Sequence, residues 1–216
     1  MDRLAACFVL LLALANAHAA PFEMTTLRIE ELGLANFAAI PQDSGDLDGL
    51  DVSHYTLLGL PVGGPPAILG GILKWGSGYS DLAAVGYPNG SSAPMLLSFA
   101  PEPGRFVKLV GFDIGAYSSG QTAQVTVWDA DFTGTLFDTG LFSVSASSSS
   151  HVDLDLLSAE TLHVVIGFGD EIGINNINYG VSSVVPLPAP MLMLLPALSV
   201  LIRLGRRPGR SAVRGA

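Results

Sequence analysis

Between residues 21 and 184 no long run carries the 3.6-residue period of a helix. Apolar residues recur instead in short alternating or β-branched segments, separated by Gly, Ser, Asn, Asp and Pro. Gln124–Trp128 (QVTVW) alternates cleanly, which predicts a strand with Val125 and Val127 on one face and Thr126 and Trp128 on the other. His151–Leu156 (HVDLDL) predicts Val152, Leu154 and Leu156 inward, with Asp153 and Asp155 outward. Arg105–Tyr117 changes parity near Lys108–Leu109, as a bulge or a strand buried on both sides would require. Leu162–Phe168 and Ile172–Tyr179 extend the series. Short strands spaced by turn signals predict an all-β, antiparallel sandwich. Near Glu30–Phe37 the segment LRIEELGLANF fits either a helix or a strand and turn. No period of repeats is visible, which argues against a solenoid.

The two ends follow a different pattern. Residues 1–20 hold a basic residue, an apolar run Leu4–Leu14 and the small-residue close Ala17-His18-Ala19. That is the layout of a secretory leader, cut after Ala19 or Ala17, and the run is shorter than the roughly 20 residues of a spanning helix. Cys7, the only cysteine, would leave with it, so the exported body would hold no disulfide. At the other end, Pro186, Pro188 and Pro190 favour an extended chain. A mostly apolar stretch of twelve residues (Met191–Ile202), broken by Pro196, and a basic cluster follow. Those twelve would reach about 18 Å as a helix, against roughly 30 Å of hydrocarbon. The arginines Arg203, Arg206, Arg207 and Arg210 would hold that end on the cytoplasmic side as a stop-transfer cluster. A plain C-terminal anchor is one reading of this layout.

The proline motif Val185–Pro190, the short apolar segment and the arginine-rich end together resemble the PEP-CTERM sorting signal in its VPLPA variant. The resemblance implies recognition of Val185, Pro186, Leu187, Pro188 and Ala189 by an exosortase. It also implies transient insertion of a short helix into the inner membrane of a Gram-negative bacterium, then release to the cell surface or extracellular matrix. Three parts follow: a leader (1–19), a sandwich ectodomain (20–183) and a sorting tail with a short transmembrane helix (184–216). Ser77–Pro88, Phe106–Tyr117, Val125–Val144 and Gly169–Gly180 also resemble, in order, the jelly-roll ectodomains common in that family, which are similar to carbohydrate-binding and galactose-binding-like sandwiches. The closing pattern of such domains often reads G-I-D-N-I. Here it is Gly173-Ile174-Asn175-Asn176-Ile177, with Asn in the acidic position.

Charge narrows the function classes. Between residues 21 and 185 there are four basic residues, Arg28, Lys74, Arg105 and Lys108, against eighteen acids. So acidic a body repels phosphate backbones, which excludes nucleic acid as a partner. Asp43, Asp46, Asp48 and Asp51 fall within nine residues with two glycines. They suit either a shared Ca²⁺ or a solvated acidic turn. An EF-hand is excluded because Tyr55 occupies the position of the required acid. Asp129, Asp131 and Asp138 lie beside aromatics, where paired carboxylates would serve glycoside hydrolysis, but Asp is equally turn chemistry there. His54, His151 and His163 lack metal-ligand spacing, and no nucleophile elbow occurs. The glycines of Gly59–Pro66 and Ile68–Gly78 read as a loop-rich region without a phosphate-loop lysine. Trp75, Tyr79, Tyr87, Tyr117 and Trp128 form either a stacking platform for sugars or part of the core. The expected function is a non-enzymatic surface or matrix protein associated with exopolysaccharide or biofilm. The alternatives are a glycan-binding module, Ca²⁺-dependent or not, and a hydrolase with an unrecognised site.

Overall fold

The computed structural model describes residues 21–182 apart from Ser91, Phe168 and Asp170. The first half holds β1 (Phe22–Leu27), β2 (Leu50–Leu57), β3 (Ile68–Trp75), β4 (Val85–Pro88), β5 (Met95–Pro101) and β6 (Val107–Ala116). The second adds β7 (Gln121–Trp128), β8 (Thr135–Asp138), β9 (Phe142–Val144), β10 (Ser150–Ser158), β11 (Leu162–Gly167) and β12 (Ile172–Ser182). Every ladder is antiparallel. One layer runs β10–β6–β12; the far edge of β12 is shared by β4 at Ile174 and β1 at Ile177–Ser182. The other runs β2–β5–β11–β7–β8, with β9 also on β7. The chain changes layer at each step from β5 to β7 and again from β9 to β12, giving an antiparallel, jelly-roll-like sandwich.

The layers meet at a corner made by β3. Gly70 and Gly71 pair with β2, whereas Ile72–Trp75 pair with β4. The glycines that read as loop therefore mark the corner of a strand, where bulges and bends are expected. The parity change anticipated in β6 is also present. Val107 and Leu109 are buried on one register, and Phe112, Ile114 and Ala116 on the other. Both neighbouring ladders slip beside it, so the irregularity sits between Leu109 and Gly111, one to two residues later than expected. Val125, Val127, Val152 and Leu154 face the core as their alternation predicts, while Asp153 and Asp155 are exposed.

Beyond these strands, Glu30–Phe37 forms neither a full helix nor a strand. It holds part of a 3-10 turn, Ile29–Leu32, ended by Gly33 in the left-handed region. Asn175 on β12 fixes that turn: its Oδ1 accepts the Ile29 amide at 2.9 Å and its Nδ2 donates to Glu30 at 2.7 Å.

A second lid covers the end of the core beside β2. Gln42 clamps both backbone groups of His54, Tyr179 donates to the Gly45 carbonyl, and His54 Nε2 donates to the Ser44 carbonyl at 3.3 Å. Burial holds the His54 imidazole below its ordinary value of 6.5, against smaller opposing effects of the Ser44 carbonyl and nearby Asp46 and Asp43. His163 is lowered as well, again mainly by burial. The unfolded chain takes up these protons near pH 6.5, and the folded chain only at lower pH. Stability from this source is therefore complete above about pH 6.5 and falls as the pH drops toward the folded-state values. Denaturant unfolding at pH 7.5 and pH 5.0 should show that loss, and His54→Gln, which keeps a donor for Ser44, should reduce it. An equal loss in parent and variant would remove His54 from the account.

The expected membrane helix is corrected. Among the described residues the only helical element has four residues, and no helix is long and apolar enough to cross a membrane. The described residues offer no element for transient insertion into the inner membrane, the step that would precede an exosortase. The apolar stretch is also shorter than a bilayer crossing needs. The residues of the expected signal, Val185 to Ala189 and Arg203 to Arg210, and the leader with Cys7 lie outside the described residues.

Candidate functional site

An aromatic cleft forms where β3, β4, β6 and β12 deliver their ends. Trp75 closes β3 and Tyr87 lies on β4. In that ladder Trp75 opposes Val85 and Tyr87 opposes Leu73, which makes the two rings diagonal neighbours on the face away from Ile72 and Gly86. Their centroids are 6.3 Å apart. Tyr117 follows β6 directly, its amide bonded to the carbonyl of Glu171 just ahead of β12 at 3.0 Å. Its ring lies 6.0 Å from Trp75 and 5.3 Å from Tyr79. Phe37 stands 4.6 Å from Trp75 on a bulky residue with left-handed backbone (φ 64°), a conformation that costs free energy. Reciprocal backbone bonds hold it: Phe37 N to Lys74 O at 2.8 Å, and Lys74 N to Ala38 O at 2.9 Å.

The floor is rigid. Tyr79 is 7% exposed and rests on Gly173, where a Cβ would come within 3.0 Å of its ring and 2.5 Å of Val85. Gly78, at φ +95°, lies under the Tyr117 ring, where a side chain would meet it at 2.8 Å. Ser80 ties the loop down by accepting the Ala116 amide at 3.0 Å and donating to the Ser145 carbonyl at 2.6 Å. Above this floor Phe37 is 63% and Tyr117 40% exposed, unusual for clustered rings unless they await a partner. These five rings and Glu171 line a cleft of about 230 Å³. Ser118 bonds one oxygen of Glu171 from its amide (3.4 Å) and hydroxyl (2.5 Å), which orients the carboxylate. Burial pushes the Tyr79 phenol up to about 12 and raises that of Tyr87, so both rings are neutral donors at ordinary pH.

Four of the five rings expected to act together do so. Trp128 does not: it projects from the outer face of β7, donates to Thr126 at 2.9 Å and packs beside Leu57, Leu96, Phe132 and Val165. It lines a separate groove of about 190 Å³ with Leu60, Pro61, Gln124 and Asp138. Phe37 and Glu171 were not singled out by sequence. Each is an isolated residue beside a turn, with no periodic or motif signal.

The other candidates are committed elsewhere. Asp46 accepts the Val52 amide at 2.7 Å and Asp48 pairs with Arg105 at 2.7 Å. Asp51 shares an open depression with Asp46 and Glu102, and Asp43 lies close enough to His54 to act on its charge. Among the described residues no group of three or more His, Cys, Asp or Glu is placed to hold a metal. The four aspartates thus do not converge as a Ca²⁺ site would require. Asp129 caps its own turn through Thr133, Asp131 is exposed in that turn, and Asp138 accepts Gln124 and the Gly140 amide, bonds that lower its pKa. His163 is bonded to Ser98 and stacked on Phe132, and His151 pairs with Asp113 at 2.6 Å.

No family model matches the chain, and no curated protein matches it. Among solved structures it is similar to the enzymatically active domain of tailspike protein 4 of bacteriophage CBA120. That match is 14% identical and covers 67% of this chain and 21% of that one, with a TM-score of 0.26. It is also similar to the family 11 carbohydrate-binding module of a cellulosomal cellulase of Clostridium thermocellum (10% identical, 76% of this chain and 93% of that one, TM-score 0.23). The same kind of module in complex with a β-1,3-1,4-mixed-linked tetrasaccharide matches at 12% identity, over 74% of this chain and 92% of that one, TM-score 0.23. The chain spans about a fifth of the tailspike domain. Scores this low assign neither a family nor a ligand to this chain.

Proposed function

We propose that the sandwich is a non-catalytic, extracellular glycan-binding module whose ligand enters the aromatic cleft. The observation that carries this reading is the gathering of Phe37, Trp75, Tyr79, Tyr87 and Tyr117 around one oriented carboxylate. Sugar rings present an apolar C–H face and a hydroxyl rim. A mostly aromatic cleft with a few fixed polar groups matches that chemistry. The reading is non-catalytic because glycoside hydrolysis uses two carboxyl groups flanking the bond. Among the described residues this cleft is lined by one, and the aspartates of the β7–β8 turn serve that turn.

A glycan array followed by calorimetry tests the proposal. Trp75→Ala and Tyr117→Ala should each weaken binding of any array-positive glycan at least about tenfold, as loss of a central aromatic anchor does. Both should retain the parent melting temperature within a few degrees, and EDTA should leave affinity unchanged. Binding that survives both substitutions would move the site elsewhere; absence of binding across the array would favour a matrix protein without a glycan ligand. We further read the chain as exported with a PEP-CTERM-type tail, supported by the leader layout and the Val185–Ala189 motif. The intact mass of secreted protein should lack both the leader and the arginine cluster, and a product retaining Met1 and Ala216 would contradict this.

A further inference from the structure

We infer that the cleft takes a protonated amino group of its saccharide, so that the ligand class is a glycan of hexosamines with free amines. This inference rests on the glycan-binding reading. It begins with ring geometry. Phe37, Tyr87 and Tyr117 meet Trp75 at interplanar angles of 78°, 88° and 87°, and Tyr79 is tilted by 31° and 46° to Tyr87 and Tyr117, so the rings line the cleft in several orientations. Rings that line one small cleft from several directions offer π-systems to a compact cation, the setting that favours an ammonium.

The charge around the box agrees. Among the described residues Glu171 is the one charged residue on its lining, and Ser118 fixes it through a single oxygen. A carboxylate accepts about four hydrogen bonds, which leaves capacity for an N–H donor. The same carboxylate would repel a uronate, sulfate or phosphate. Among the described residues no basic residue lines the cleft to offset it, and the four cations of the body are engaged elsewhere. Arg28 pairs with Glu31, Arg105 with Asp48 and Lys108 with Asp155, and Lys74 donates to the Leu34 carbonyl. With eighteen acids against those four between residues 21 and 185, the long-range field steers polycations in and polyanions away.

The test uses the full chain and three probes at pH 6.0: a β-1,4-glucosamine hexamer, its fully N-acetylated counterpart, and cellohexaose. The free amine should improve affinity about tenfold over the N-acetylated hexamer. Glu171→Gln should erase most of that preference by weakening the glucosamine hexamer far more than the N-acetylated one, and Trp75→Ala should weaken every probe that binds. Equal or tighter binding of N-acetylated hexamer or cellohexaose would overturn the amine inference and leave the glycan reading standing. Glucosamine binding that persists in Trp75→Ala would mean that the acidic surface alone holds the polycation, and would also overturn it. Failure of all three probes, with a neutral glycan positive on the array, sinks the inference only; an empty array sinks both.

Discussion

Tyr179→Ala should lower the unfolding free energy by about 3–5 kcal/mol, the range for emptying a buried aromatic site. Tyr179 is fully buried on β12, and its ring lies 5.1 Å from Phe99 of β5, joining the two layers across the core. Its hydroxyl reaches the Gly45 carbonyl, so the same side chain fills the core and anchors the lid at residues 41–49. Tyr179→Phe separates the two roles. It keeps the ring, loses the bond, and should cost only about 1–2 kcal/mol. Urea denaturation of the three proteins measures both. A loss under about 1 kcal/mol for the alanine variant would mean the layers do not depend on this contact.

Asn175→Asp, a change of one heavy atom, should cost about 2–4 kcal/mol at pH 7. The Ile29 amide keeps its acceptor, but the Asn175 amide that donates to Glu30 is replaced by a carboxylate oxygen facing another. Two such groups at hydrogen-bond distance cannot both ionise cheaply, and one carboxyl pKa rises in the folded state. The linkage sign follows: the deficit relative to the parent is largest where the unfolded carboxyl is ionised, and it shrinks as the pH falls from 7 toward 4. Unfolding of both proteins across that range would show it. A deficit independent of pH would mean the charges are not the cause.

These two residues illustrate how far the sequence could be read. Strands whose one face is buried, such as β7 and β10, are legible because Val125, Val127, Val152 and Leu154 recur at period two. β2 alternates as well, but its inward positions include His54 and Thr56, and buried polar residues break the apolar period. β5 is buried over Met95–Phe99 on both faces, so it offers no alternation. In β3 the glycine pair belongs to a sheet corner, a tertiary feature with no local signature. Asn175 departs from the acidic position of a resembling pattern, and the sequence had no means of revealing Glu30 as its partner.

The cleft follows the same logic. Its tyrosines and Trp75 were visible as residues, but their convergence depends on the β3–β4 pairing and on Tyr117 meeting Glu171, contacts remote in sequence. Trp128 looked equivalent to Trp75 because alternation gives the face of a strand and not its place in a sandwich. The difference is physical: each indole packs on a small apolar cluster, but Trp128 also spends its N–H on Thr126, whereas Trp75 stands beside Phe37 and Tyr117, which are exposed.

That contrast supplies the most direct test of ligand entry at the aromatic cleft. The chain has two tryptophans, so an ¹⁵N-labelled sample gives one indole resonance each for Trp75 and Trp128. Titration with the tightest array glycan should shift the Trp75 resonance saturably and leave that of Trp128 in place. A shift of Trp128 with Trp75 unmoved would contradict the account and send the ligand to the groove beside β7.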